Sequence, residues 1–211
     1  MNLVLASASP ARLTLLRAAG IDPHVIVSGV DEDAVEAANA EALCAVLARM
    51  KANAVAARIH KGELGGELPP GRTLVLGCDS VLEFDGQVYG KPDGPDDAQK
   101  RWRAMRGQSG VLRTGHCLVD LGVGTEDAGI VEEVASTVVH FAALTDEEID
   151  VYVDSGEPLQ VAGAFTIDGL GGPFVERIEG DPSTVIGLSL PTLRHLLRRL
   201  DLSVTSFWRH A

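Results

Sequence analysis

The stretch Leu3-Val4-Leu5-Ala6-Ser7-Ala8-Ser9-Pro10-Ala11-Arg12 sets the fold class of this chain. Its first four residues are an apolar run of the length expected for a buried strand. Ser9 then offers a side-chain oxygen to cap a helix, and Pro10 suits the first helical position, where its missing N–H is not needed. The predicted helix runs through Leu13, Leu15 and Leu16 to Gly20, a residue suited to the left-handed position that ends a helix. A strand that turns directly into a helix is the unit of an α/β protein, and the free N–H groups at such a helix start attract anions.

Working outward, His24 to Ser28 alternates as a second strand, and the Ala-, Leu- and Met-rich stretch from Ala40 to Arg58 predicts a long helix. Gly62 to Gly71 reads as an exposed loop. Thr73-Leu74-Val75-Leu76-Gly77 predicts a buried strand that ends at Cys78-Asp79-Ser80, and Val81 to Tyr89 predicts a hairpin turning at Asp85-Gly86. Helices are expected over Asp96 to Arg106, from the capping box Thr145-Asp146-Glu147-Glu148 to about Ser155-Gly156, and over Leu190 to Leu200. Two long β-rich runs, Val111 to Leu121 and Ile130 to Phe141, flank a glycine-rich acidic turn from Gly122 to Gly129, and Phe174 to Ile178 is a further short strand. Helices and strands alternate early and long paired strands come later, so the sheet is expected to be mixed rather than strictly doubly wound.

With 211 residues, 45% of them hydrophobic, the chain can bury a full core as one large domain or two small lobes. Its net charge of −12 argues against nucleic-acid binding, which needs dense Lys and Arg. No apolar run is long enough to span a membrane, and the apolar start lacks the basic flank of a signal peptide. The widely spaced Cys44, Cys78 and Cys117 suit a reduced, cytoplasmic protein, and the scattered histidines offer no zinc site. The acidity is uneven: between Thr114 and Glu176 lie thirteen acids and no Lys or Arg. Any phosphate must therefore be held by Arg12, Arg17, Lys51, Lys91 or the cluster from Lys100 to Arg113.

The common phosphate and nucleophile motifs are missing: no GxxxxGK[ST], no complete GxGxxG, no GxSxG. Four features remain. Ser7-Ala8-Ser9-Pro10-Ala11-Arg12 combines hydroxyls, free N–H groups and an arginine, which suits a polyphosphate; it also reads as an ordinary helix cap. Asp79, at the end of an apolar strand, is placed as a metal ligand or general base, or as a plain loop aspartate. Lys91 sits between Gly90 and Pro92 on a constrained loop. Ala162-Gly163-Ala164-Phe165 to Gly172 is a glycine-rich turn carrying Asp168, fit for close backbone packing with or without a bound base.

In order along the chain, these segments resemble the Maf family of nucleoside triphosphate pyrophosphatases. The matching pieces are Leu5-Ala6-Ser7-Ala8-Ser9-Pro10 with Arg12, Asp31-Glu32, Lys51-Ala52, Gly77-Cys78-Asp79-Ser80, Gly90-Lys91-Pro92 and Thr114-Gly115. Gly156-Glu157-Pro158, Ala162-Gly163-Ala164-Phe165, Gly180-Asp181 and Val185-Ile186-Gly187-Leu188 complete the set. The resemblance implies a single Maf-like domain over residues 1–211, an α/β fold with two lobes around a central cleft, like that of inosine triphosphatases, and often a homodimer. It implies a hydrolase dependent on a divalent metal cation (Mg²⁺ or Mn²⁺) that cuts nucleoside triphosphates, non-standard ones included, into monophosphate and pyrophosphate. It also implies Asp79 as general base and metal ligand with Glu32, and Ser9, Arg12, Lys51 and Lys91 as ligands of the phosphates.

The departures matter as well. Ala11 replaces the first of two arginines, Cys78-Asp79-Ser80 replaces Ala-Asp-Thr, Gln160-Val161 replaces Asp-Lys, and Asp168 replaces a Gln or Glu. Ala11, Ser80 and Asp168 fall where the family tunes nucleotide choice, so the resemblance supports catalysis more than a particular base. Three alternatives stand beside the pyrophosphatase. One is a nucleotide-binding regulator of cell division with little turnover, one a phosphatase of the terminal phosphate, and one a degenerate binding module.

Overall fold

In the computed structural model, residues 1–32, 34–63, 68–122 and 129–208 are described. Parts of two expected turns, at 64–67 and 123–128, lie outside the described residues. The elements run β1 (Asn2–Leu5), α1 (Pro10–Ala18), β2 (His24–Val25), α2 (Ala40–His60), β3 (Thr73–Phe84), β4 (Gln87–Tyr89), α3 (Pro95–Met105) and β5 (Ser109–Asp120). They continue with β6 (Gly129–Phe141), α4 (Asp146–Asp154), β7 (Val175–Glu179), α5 (Pro182–Ile186) and α6 (Leu190–Arg199). The strands form one sheet in the order β2-β1-β3-β5-β6-β7, with β4 also paired to β3. β1 is parallel to β2 and β3, and the remaining pairs are antiparallel. The protein is thus the mixed α/β fold that the sequence leads one to expect.

Local chemistry explains the elements. Ser9 caps α1, with Pro10 inside its first turn. Thr145 and Glu148 close a reciprocal capping box at α4. Asp85 and Gly86 both take positive φ between β3 and β4, as a two-residue hairpin turn requires. Two strand expectations need correction. The second strand reaches only Val25, since the Val27 carbonyl beyond it turns to Arg58. β3 does not end at Cys78-Asp79-Ser80 but runs through all three to Phe84. A buried carboxylate usually cannot sit within a strand; here Lys51 Nζ meets it at 2.6 Å and the ladder pairs it with Gly115.

Strand alternation assigns the two faces of β3. Leu74, Leu76 and Cys78 pack with Leu16 of α1 and with Leu193, Leu196 and Leu197 of α6. Further along the same face, Leu82 joins Trp102, Met105, Phe141 and Tyr152, among α3 and α4. The opposite face, Val75 to Val81, lies under α2. That helix is seated unusually close. A Cβ on Gly77 would stand 2.2 Å from the Ala48 carbonyl, and one on Gly115 would stand 2.2 Å from the Cys44 carbonyl.

β3 is also incompletely flanked. β5 pairs with it from Leu74 to Glu83, but on the other edge β1 reaches only Leu76 and β4 begins only at Leu82. Among the described residues, Gly77 to Val81 therefore have no strand neighbour on that edge. Leu76 gives its carbonyl to the Ala6 N–H there. By alternation, the main-chain groups of Cys78 and Ser80 point to the same open edge.

A Gly115→Ala variant forces a methyl group against the α2 backbone. It should lose about 3 kcal/mol, read as a fall of about 10 °C in Tm; an unchanged Tm would refute the close seating of α2. His116, fully enclosed on the α6 face, accepts the Ser189 N–H at 2.8 Å. Burial first, then the Arg12 charge, depresses its pKa to about 4. Because that lies below the unfolded value, its contribution is complete above about pH 6.5 and is lost as pH falls towards 4, about 3 kcal/mol in all. Urea titrations between pH 7 and 4 should show this loss in the parent protein, and His116→Gln should lack that part of the slope.

Candidate functional site

The open stretch of β3 gathers most of the expected site residues, on its two faces. On the α2 face, Lys51 and Asp79 are both buried, and Lys51 Nζ lies 2.6 Å from Asp79 Oδ1 and 2.9 Å from Glu32 Oε1. Glu32 is half exposed. The α2 seating over Gly77 and Gly115 delivers Lys51 to this point. Burial holds the Asp79 carboxyl above its ordinary range, and the charges of Lys51 and Arg12 offset that only in part. Asp79 Oδ2 accepts no hydrogen bond from the described residues and is not sealed from solvent. One carboxylate oxygen is thus locked and the other is free for a water or a cation.

On the opposite face Arg12 is also buried, and its guanidinium joins three segments. Nε donates to the Gly187 carbonyl at 2.7 Å, Nη1 to Ser7 Oγ at 3.1 Å and Nη2 to Ser80 Oγ at 3.3 Å. Ser80 Oγ lies 2.8 Å from Thr114 Oγ1, which donates to the Thr184 carbonyl. The Gly180-Asp181 and Ile186-Gly187 pieces of sequence gain a role here. Asp181 caps α5 through Ser183 and Thr184, and Gly187, at φ 112°, ends that helix with its carbonyl turned to Arg12. Ser9 is half buried, and its Oγ accepts the Arg12 N–H at 3.4 Å. Ser7, which sequence spacing does not distinguish from Ser9, is the hydroxyl that the arginine grips.

The remaining expected residues stand apart from these two clusters. Ala11 is half buried on α1. Lys91 is exposed, and its side chain has no hydrogen-bond or ion-pair partner among the described residues; the β3–β4 hairpin turns its loop back alongside β3. Asp168 is exposed and bonds to nothing described. Its glycine-rich turn is organised instead by Glu157, which accepts from Tyr152 Oη, Thr166 Oγ1, Leu170 N and Gly171 N. Burial raises the Glu157 pKa, but these four donors outweigh it and hold the carboxyl below its ordinary range. A glutamate between Gly156 and Pro158 carries no sequence signal for that role beyond its place in an ordered motif.

Residues 2–200 match the Maf-like protein family. The chain belongs to that family. Three relatives are described as nucleoside triphosphate pyrophosphatases. That of Salinispora tropica is 61% identical over 99% of this chain and 88% of its own length. That of Leifsonia xyli is 54% identical over 100% and 98%, and that of Streptomyces coelicolor 54% identical over 100% and 96%. Among solved structures, the Staphylococcus aureus Ham1 protein aligns at a TM-score of 0.29 and 13% identity, over 68% of this chain and 73% of that one.

Lys51→Met leaves Asp79 buried without its cation. The variant should lose about 3 kcal/mol at neutral pH. Removing the cation raises the Asp79 pKa further, so the missing stability concerns only the ionised carboxyl. The deficit should shrink as pH falls towards 4, where the carboxyl takes up a proton in the folded state first. A deficit constant across pH 4 to 8 would show that the pair does not matter electrostatically.

Proposed function

We propose that this chain hydrolyses nucleoside triphosphates between the α- and β-phosphates, releasing a nucleoside monophosphate and pyrophosphate. The observation that carries the reading is the buried Asp79, one oxygen held by Lys51 and the other free, at an unpaired strand edge in a Maf-like chain. The relatives' description as nucleoside triphosphate pyrophosphatases supports it.

Cutting a phosphoanhydride needs an aligned water, a group to take its proton and charge to balance the phosphates. Asp79 Oδ2 is placed to accept that proton, and the environment favours protonation more than that of a free aspartate does. Lys51 orients the carboxylate through Oδ1. Ser9, Arg12 and Lys91 are the groups proposed to meet the phosphates, with Arg12 also fixing Ser7 and Ser80.

The donor chemistry suits Mg²⁺ or Mn²⁺. Glu32 and Asp79 are hard oxygen donors; the Lys51 ammonium takes Asp79 Oδ1 and lies against Glu32 Oε1, so Asp79 Oδ2 and the second Glu32 oxygen are the ones that would hold an ion. No group of three or more His, Cys, Asp or Glu residues among the described ones could form a closed cage. Two carboxylates suit a cation whose other ligands are waters and phosphate oxygens. Such an ion, when bound, neutralises phosphate charge and acidifies a coordinated water.

A panel of standard and modified nucleoside triphosphates with Mg²⁺ or Mn²⁺, scored for pyrophosphate and monophosphate, tests this. Turnover of at least one member is expected, with Asp79→Asn slower by about 10²–10⁴. Release of inorganic phosphate and diphosphate alone, or no turnover of any member, would sink the reading.

A further inference from the structure

We propose that Arg101 is a positioning residue that fixes the Gly90–Lys91 loop and so sets the reach of Lys91. The inference rests on the reading of Lys91 as a phosphate ligand and goes beyond it. Lys91 follows the short strand β4, and its own side chain holds nothing among the described residues. A loop lysine with four free torsions binds a phosphate well only if its backbone is fixed. The backbone here is fixed from α3. Arg101 Nη1 donates to the Gly90 carbonyl at 2.7 Å, and Nη2 donates to the Lys91 carbonyl at 3.3 Å.

The fork is itself held on two sides. Asp97, one helical turn earlier, lies 2.6 Å from Nη2, and the guanidinium carbon stands 5.0 Å from the Tyr89 ring centroid. Its Nε is buried without a partner among the described residues, so the orientation is set by the carbonyls and Asp97. The Gly90 carbonyl is a junction, because it also accepts the Gly163 N–H at 3.0 Å. Gly163 takes φ 72°, and a Cβ there would lie 2.8 Å from that of Leu82. The next residue of α3, Trp102, donates to the Ala164 carbonyl at 2.7 Å. Two successive side chains of α3 thus carry the lysine loop and the glycine-rich turn on one rigid helix.

Arginine suits this place because its planar fork can serve both carbonyls and Asp97 together, whereas a single ammonium cannot. The test is steady-state kinetics on a nucleoside triphosphate that the parent protein turns over, with Arg101→Ala, Arg101→Lys, Lys91→Ala and the Arg101→Ala/Lys91→Ala double variant. Lys91 contacts phosphate before and during the reaction, so its misplacement should raise KM about tenfold with kcat changed less than twofold. Lys91→Ala should do the same, and the double variant should be no worse than either single one, because both act through one ammonium. Arg101→Lys keeps the charge and the Asp97 pair but loses the fork, so its KM should stay raised, which also guards against a folding defect in Arg101→Ala.

Multiplying KM effects in the double variant, or parent-like KM in Arg101→Lys, would overturn the positioning role. Parent-like KM in Lys91→Ala would instead remove the phosphate role of Lys91, and this inference with it, while leaving the Asp79 reading in place.

Discussion

The site depends on how closely α2 lies on the sheet. Gly77 and Gly115 leave no room for a Cβ beneath that helix, and they flank Asp79, Gly77 along β3 and Gly115 directly across the ladder. A bulkier residue at either place would lift the helix and withdraw Lys51 from the carboxylate. With the helix down, an aspartate can remain inside a strand, since its charge is met by Lys51 at 2.6 Å. Such a buried pair is weak evidence of added stability, because desolvation offsets most of its attraction. Its persistence here is better explained by what it holds in place: one oxygen fixed and one open.

The second constraint is the gap on the edge of β3. β1 stops early and β4 starts late, so one short stretch of β3 carries side chains on both faces and lacks a strand partner on that edge among the described residues. The Lys51, Asp79 and Glu32 cluster sits on one face, and Arg12 with Ser7 and Ser80 on the other. Arg12 ties the end of β1, the middle of β3 and the end of α5 into one unit.

The charge distribution serves this arrangement. The acids between Thr114 and Glu176 are partly matched by arginines from elsewhere in the chain: Arg49 on Glu132, Arg72 on Asp120, Arg103 on Asp150 and Arg106 on Asp146. The three exposed pairs add little stability individually, whereas Asp120 is buried and held bidentately by Arg72. Their effect is to engage arginines away from β3, while Lys51 is engaged by Asp79 and Glu32, so Arg12 and Lys91 are the cations proposed for the phosphates.

By itself the sequence determined much of this protein. The strand-to-helix start, the Ser9 and Thr145 caps, the Asp85-Gly86 hairpin and the two long strands are legible because they depend on neighbours a few residues apart. Asp79 and Arg12 stood out as polar residues beside an apolar strand and at a helix start, while Lys51 and Glu32 were pointed to only by the resemblance of the ordered short motifs to the Maf family. Only the tertiary structure decided that β3 continues through Asp79, since the cation that permits this lies 28 residues earlier. It likewise decided that Ser7 grips Arg12, that Glu157 rather than Asp168 organises the glycine-rich turn, and that Arg101 holds the Lys91 loop. Burial, partner and direction are set by residues far apart in the chain, and a contact that depends on packing leaves no periodic signal in the sequence.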